Sequence, residues 1–258
     1  MKIQLVSFPV YSRLTRVMKY ERIELIAKIL NNSSIDFVMF SEHVLKDPSD
    51  LIVIRSLVKN KSISAFIELN EFSGLNGNCM YLFQDGQWIY ISNQVFAESK
   101  EANKASIKYL VDELDGKHFN MRRQFSVSGK KFMVFNCGEN NILKGSTGVA
   151  EFRLKGEYTL EEKFERRINE VDIVLNPVHT KWGWFAKFLA RIRKFSENKR
   201  YCFSSCQLED GQLEKAVENP RNNTAHVAMY NSDFIAPIET EVMEAGDEKV
   251  LVQTYEIK

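Results

Sequence analysis

Three places in the chain set a reactive polar side chain at the end of an apolar run. Glu42 closes DFVMFSE, Cys137 closes KFMVFNC ahead of Gly138-Glu139-Asn140, and Asn176-Pro177-Val178-His179 closes VDIVLNP. The ends of buried strands are where α/β folds gather ligand-binding and catalytic groups. A cysteine attacks carbon only as its thiolate, so Cys137 needs a base or a cation beside it. Glu42 is the candidate base, and a lysine from the polar stretch 99–123 is the candidate cation. Cys79, Cys202 and Cys206 read as core or strand residues. The Cys202/Cys206 pair has neither a second pair nor a nearby histidine, and structural zinc takes about four ligands, so no metal is expected.

The elements that must position these groups alternate between strand and helix. KIQLVSF, IDFVMF and SISAFIELN read as strands, with helices in YERIELIAKILNN (Ile23, Ile26, Ala27 and Leu30 on one face) and DLIVIRSLVKN. NCMYLFQDGQWIYIS and QFSVSGKKFMVFNC read as hairpins turning at Asp85-Gly86 and Ser128-Gly129. The segment between them, SKEANKASIKYLVDELDGKHFNMRR, shows no clean period and reads as a long polar loop of functional type. TLEEKFERRINE reads as a helix capped by Thr159 with Glu162 three residues on. VDIVLNPVHT reads as a strand stopped by Asn176-Pro177. WFAKFLARIRKFSENK is amphipathic through Phe185, Phe188, Leu189, Ile192 and Phe195, and RYCFSSCQ, TAHVAMYN and KVLVQTYEI are further strands. The pattern predicts a mixed α/β fold with sheets covered by helices.

Composition narrows the function. A chain of 258 residues, 44% hydrophobic and 27% charged, suits one large domain spanning 1–258. Lys and Arg number 35 against 34 Asp and Glu, a net +1, which gives no electrostatic reason to expect nucleic acid or an anionic membrane as partner. The opening MKIQLVSFPVYSRL does not read as a signal peptide, and no apolar run reaches transmembrane length. Four scattered cysteines do not form a disulfide framework, so a reducing, cytoplasmic setting is expected.

The ordered set of motifs resembles the nitrilase superfamily of carbon–nitrogen hydrolases. SIDFVMFSE is similar to that family's catalytic-glutamate motif, with Ser41 where proline is usual. SISAFIELNE and NCMYLFQDGQW resemble its strand and hairpin, KKFMVFNCGEN its nucleophile strand, and VDIVLNPVHT the strand that follows. The likeness runs over nearly the whole chain. It implies a four-layer α-β-β-α sandwich and a Glu-Lys-Cys triad of Glu42, a lysine and Cys137. Lys104 is the lysine best placed ahead of an auxiliary acid, with Asp112 and Glu113 eight and nine residues on, and Lys108 and Lys100 as competitors. Glu113 is then the auxiliary acid. Gly138 and Glu139 flank the nucleophile, and His179 and Trp182 lie at the corner that faces substrate. The implied chemistry is hydrolysis of a small amide or carbamoyl-type molecule through a cysteine thioester, with no metal or organic cofactor. Homo-oligomers are frequent in the family, so one is expected here.

Each residue also has a plainer reading. Cys137 is a small buried side chain, Glu42 a surface or helix-start charge, Lys104 a solvated loop charge, and Glu139 a group satisfying local backbone donors. His179 then bonds a strand end, and Trp182 and Trp184 pack as core. The corresponding rivals in function are a nitrilase-like binding module without catalysis, and an acyltransferase that passes the same thioester to an acceptor other than water.

Overall fold

Strand and helix alternate along the chain as the sequence predicts. The computed structural model describes residues 1–10, 15–69, 78–117, 122–146, 148–178, 185–209, 211–220 and 224–258. Its strands are β1 Lys2–Ser7, β2 Phe37–Phe40, β3 Ser64–Leu69, β4 Cys79–Gln84, β5 Gln87–Asn93, β6 Gln124–Val127, β7 Lys130–Val134, β8 Leu143–Ser146, β9 Val149–Phe152, β10 Ile173–Val178, β11 Tyr201–Cys206, β12 His226–Tyr230, β13 Asp233–Phe234, β14 Glu239–Ala245 and β15 Glu248–Glu256. Its α-helices are α1 Arg16–Leu30, α2 Pro48–Leu57, α3 Lys104–Leu114, α4 Tyr158–Asn169, α5 Phe185–Ser196 and α6 Gln212–Glu218, and Cys137–Ile142 forms a short 3-10 helix.

Among the described residues the strands form two large sheets, ordered β14-β15-β1-β2-β3-β4-β5 and β13-β12-β11-β10-β7-β6, with β8-β9 a separate hairpin. Parallel pairing holds at the centre of each sheet, β1 with β2 with β3 and β7 with β10 with β11. The two-residue period of a strand sorts the side chains into layers. Ile3, Leu5, Phe37, Met39 and Phe66 of the first sheet meet Phe132, Val134, Ile173, Leu175 and Phe203 of the second in the central layer. The alternate residues face outward. Val6, Val38, Phe40, Ala65 and Ile67 pack against α1 and α2. Met133, Phe135, Val174 and Val178 pack against α3, α4 and α5. This is the four-layer α-β-β-α sandwich. No helix of the described residues is long and apolar enough to cross a membrane.

Both hairpins turn as read. Asp85 and Gly86 have φ of 52° and 74°, Ser128 and Gly129 of 50° and 78°, the two consecutive left-handed residues that a two-residue hairpin requires. Three expectations need correction. The stretch read as a polar loop contains α3: Asn103 caps it by accepting from the N–H groups of Ala105 and Ser106, and Ile107, Leu110, Val111 and Leu114 form a buried stripe at helical spacing. Charged residues around that stripe hide its period. Helix α4 starts after Glu157, which places Thr159 inside the helix and not at its cap. Strand β10 continues through Pro177 to Val178. Its pairing with β7 ends at Leu175, so no ladder bond on that side needs the N–H that Pro177 lacks, while β11 pairs on the other side.

Candidate active site

Four parallel strands deliver the site's residues at their C-terminal ends, where the two sheets face each other. After β2, Ser41 donates its N–H to Val6 O at 2.8 Å and its Oγ accepts from Phe8 N–H at 3.4 Å. Glu42 follows, fully buried, and the chain then turns through His43 in a left-handed conformation, φ 56°. After β7, Phe135 N–H bonds Leu175 O at 2.9 Å, and Asn176 of β10 donates from Nδ2 to the carbonyls of Phe135 (2.8 Å) and Asn136 (3.3 Å). The amide of Asn176 thus holds the end of β7, and Cys137 opens the 3-10 helix directly after it.

These two strand ends meet. The backbone N–H of Cys137 donates to Glu42 Oε1 at 2.7 Å across 95 residues of sequence. Beside them Asn136 donates from Nδ2 to Glu68 Oε1 at 2.9 Å. Glu68 closes β3 on the face shared with Phe66, pointing between the sheets. Burial and the facing carboxyl of Glu42 raise its pKa well above the ordinary carboxylate range. Carboxyl oxygens of Glu42 and Glu68 and a ring nitrogen of His43 lie within 4.8 Å of one another. Two facing carboxyls, one of them held by Asn136, make this the polar floor of the site.

The 3-10 helix is locked by a second set of buried charges. Glu139 Oε1 accepts from Val95 N–H (2.6 Å) and Arg123 Nη2 (2.8 Å), and its Oε2 accepts from Asn136 N–H (2.8 Å) and Arg123 Nη1 (2.6 Å). Those four donors fill the four lone-pair positions of a carboxylate. Arg123 also donates from Nε to Glu113 Oε2 and from Nη2 to Asn93 O at 2.6 Å, and Glu113 Oε2 accepts from Ser92 Oγ at 3.1 Å. Burial pushes the Glu139 carboxyl up while Arg123 pulls it down. Glu139 and Glu113 are both held by a buried arginine, and Glu139 also satisfies local backbone donors, the plainer of its two sequence readings. Arg123 is the residue that the sequence reading missed. It lies in the stretch taken as loop, and a carboxylate such as Glu139 in a buried turn is the signal that a cation must be close.

Gly138 follows the thiol, and a Cβ there would lie 2.2 Å from Ala97 O. The backbone at Ala97 thus lies directly against the turn, and only glycine fits. Cys137 itself is half-buried, whereas Cys79, Cys202 and Cys206 are buried. Burial pushes the Cys202 thiol far up.

The structure does not bring the predicted lysine to this pair. Lys104 Nζ bonds Glu157 Oε1 at 2.6 Å with its side chain 66% exposed. Lys108 pairs with Asp112 at 2.6 Å and Lys100 with Glu98 at 2.8 Å, both also at the surface. The reason is helical. Nine residues at about 100° each place Lys104 about 180° around α3 from Glu113, so the helix that buries the acid turns the lysine outward. One charge within electrostatic reach of the Cys137 sulfur is the guanidinium of Arg191 on α5. His179 and Trp182 lie outside the described residues.

The fold has clear precedents among solved structures. A cysteine-to-alanine mutant of the Nesterenkonia AN1 amidase from the nitrilase superfamily superposes with a TM-score of 0.55 at 11% identity, covering 99% of this chain and 90% of that one. A mutant of the Nesterenkonia sp. AN1 amidase that shows Michael addition of acrylamide at its active-site cysteine gives 0.54 at 13% identity, covering 98% and 92%. A glutamine-dependent NAD(+) synthetase from Cytophaga hutchinsonii gives 0.54 at 11% identity, covering 99% of this chain and 42% of that one. No family model and no curated protein matches the chain. The chain has the nitrilase-superfamily fold.

Proposed function

We propose that the protein is a carbon–nitrogen hydrolase that cleaves a small amide or carbamoyl-type substrate through a thioester on Cys137. The observation that carries this reading is the 2.7 Å contact between Glu42 and the backbone of Cys137. It puts a buried carboxylate at the root of the half-buried thiol, on a fold shared with amidases whose chemistry uses an active-site cysteine. In this reading Glu42 takes the thiol proton as sulfur attacks the carbonyl carbon, and the N–H of Gly138 stabilises the oxyanion. Glu42 returns the proton to the departing amine, then removes one from the water that cleaves the thioester, which regenerates the thiol and releases the acid. Lys104 has no part in it. The guanidinium of Arg191 favours the thiolate through its charge. The reading includes a single domain over 1–258, a small-molecule substrate, homo-oligomerisation, and neither nucleic acid nor membrane as partner.

A second reading, a binding module on the same fold without catalysis, is favoured by the surface position of Lys100, Lys104 and Lys108. One experiment separates the two. The protein is mixed with a panel of small aliphatic amides, quenched in acid, and the Cys137 peptide is weighed while ammonia release is followed. The hydrolase predicts an acyl adduct on Cys137 with ammonia formation, absent in Cys137→Ala and at least ~10²-fold slower in Glu42→Gln. Adduct without release until an amine or alcohol is added assigns a transferase. Neither adduct nor ammonia from any amide assigns the binding module.

A further inference from the structure

Two of the buried arginines are matched by carboxylates, while a third, Arg200, donates to Phe195 O and Asn169 Oδ1 instead. Arg22 meets Glu248 at 3.1 Å, and Arg123 meets Glu113 and Glu139. Arg153 and Arg191 differ in being two half-buried arginines within electrostatic reach of each other. Arg153 follows β9 and donates from Nε to the carbonyl of Asn141, and Arg191, on α5, donates from Nη1 to Asn140 Oδ1 at 2.7 Å. Among the described residues neither has a carboxylate within ion-pair distance. Arg191 Nε is buried with no acceptor among the described residues. Burial and the neighbouring positive charge of Arg153 hold the Arg191 guanidinium down to about 10, and burial lowers that of Arg153 as well.

The backbone is arranged to admit this pair. Hairpin β8-β9 lies on α5 so closely that a Cβ on Gly145 would sit 3.0 Å from Lys187 O and 3.6 Å from Arg191 Cγ. Both guanidiniums reach the segment three and four residues beyond Cys137, and each gives it a single hydrogen bond. A guanidinium carries five N–H donors in a planar fork suited to oxyanions. Two like charges set together, partly desolvated and short of acceptors, are costly unless an anion joins them.

We infer that Arg153 and Arg191 form a binding site for a small oxyanion, a carboxylate or phosphate group, on the turn that carries Cys137. The anion is either the carboxylate of the substrate itself, so that the hydrolase acts on monoamides of dicarboxylic acids, or a free small acid that binds beside the reacting amide. The first source rests on the hydrolase reading; the existence of the site does not.

Binding is therefore measured without turnover, by calorimetric titration of the native protein with succinate and with inorganic phosphate at low ionic strength. The site predicts one saturable anion per chain, weakened at least ten-fold in Arg191→Gln and in Arg153→Gln but not in Arg193→Gln on the same helix. Mapping on the native protein keeps the test sharp if a variant does not fold: succinate is expected to slow phenylglyoxal modification of Arg153 and Arg191 selectively. No saturable binding overturns the inference. So does binding that both variants leave unchanged, or modification of both arginines that succinate does not slow. The source is then read from kcat/KM for oxamate, malonamate, succinamate and glutaramate against neutral amides of equal length. A preference of at least ten-fold for one acid, removed by Arg191→Gln, assigns the substrate's carboxylate. Equal rates with neutral amides, altered by added succinate, assign the free acid. Anion binding that depends on both arginines, with no amide hydrolysed, keeps this site and rejects the hydrolase.

Discussion

Arg123 and Glu139 meet fork to fork, Nη1 to Oε2 at 2.6 Å and Nη2 to Oε1 at 2.8 Å, with both side chains fully buried. The same carboxylate receives the N–H of Asn136, so this pair fixes the residue before the nucleophile. Removing the arginine leaves Glu113 and Glu139 as uncompensated buried charges. Arg123→Ala is expected to cost about 3–5 kcal/mol, read as a lowered urea midpoint. Arg123→Lys is expected to recover only part of the loss, because an ammonium lacks the planar fork. An unchanged midpoint in Arg123→Ala would show that the pair does not hold the turn.

Gly138 makes the complementary case from sterics. The Cβ of Gly138→Ala would overlap the backbone of Ala97, which has no flexible end to move aside. The substitution is expected to destabilise by about 1–3 kcal/mol and to slow alkylation of Cys137, since the turn must shift. Native thermal stability together with a native alkylation rate would contradict the close packing described here.

The strands could be read from the sequence because both large sheets are covered on both faces, and their central strands carry apolar runs such as FVMF and IVL. Glu42 and Cys137 stood out for the same reason, each following such a run, and the structure brings them together. Helix α3 was hidden because Lys104, Lys108, Asp112 and Glu113 interrupt a stripe of only four apolar residues. That error carried the lysine assignment with it: spacing measured along a loop has no face, whereas the same spacing on a helix decides inside from outside. The Arg123–Glu139 pair was hidden for another reason. Its two members belong to separate elements, and only packing shows that both are buried.

His226 supplies a pH test away from the site. Its Nε2 lies 2.8 Å from Ser7 Oγ and its Nδ1 lies 3.0 Å from Gln253 Oε1, deep between β1, β12 and β15. The amide oxygen can only accept, so Nδ1 carries the hydrogen and Nε2 accepts from the serine hydroxyl. Burial pushes the ring down to about 3, below the ordinary value of about 6.5. The unfolded chain therefore binds the proton first as pH falls. The contribution of His226 to stability is complete above about pH 6.5 and is lost progressively toward about pH 3. Urea midpoints at pH 7 and pH 4.5 are expected to differ more in the native protein than in His226→Gln. Equal differences would place the ring in contact with solvent.

Lys104 tests the correction to the triad. Its ion pair with Glu157 is largely exposed, and such pairs contribute little to stability. Lys104→Ala is expected to leave the urea midpoint nearly unchanged, and to leave both Cys137 alkylation and any amide turnover at the native level. A loss of turnover with the fold intact would return the lysine to the site.

The pairing of Glu42 with Cys137 is tested most directly by the pH dependence of iodoacetamide alkylation, followed at each of the four cysteines by mass spectrometry. Cys79, Cys202 and Cys206 are buried and should react slowly in the folded protein. The prediction is rapid, selective modification of Cys137, with a pH profile that Glu42→Gln displaces and a rate that it lowers. Alkylation of Cys137 with the pH profile of an ordinary thiol, unchanged in Glu42→Gln, would contradict the account.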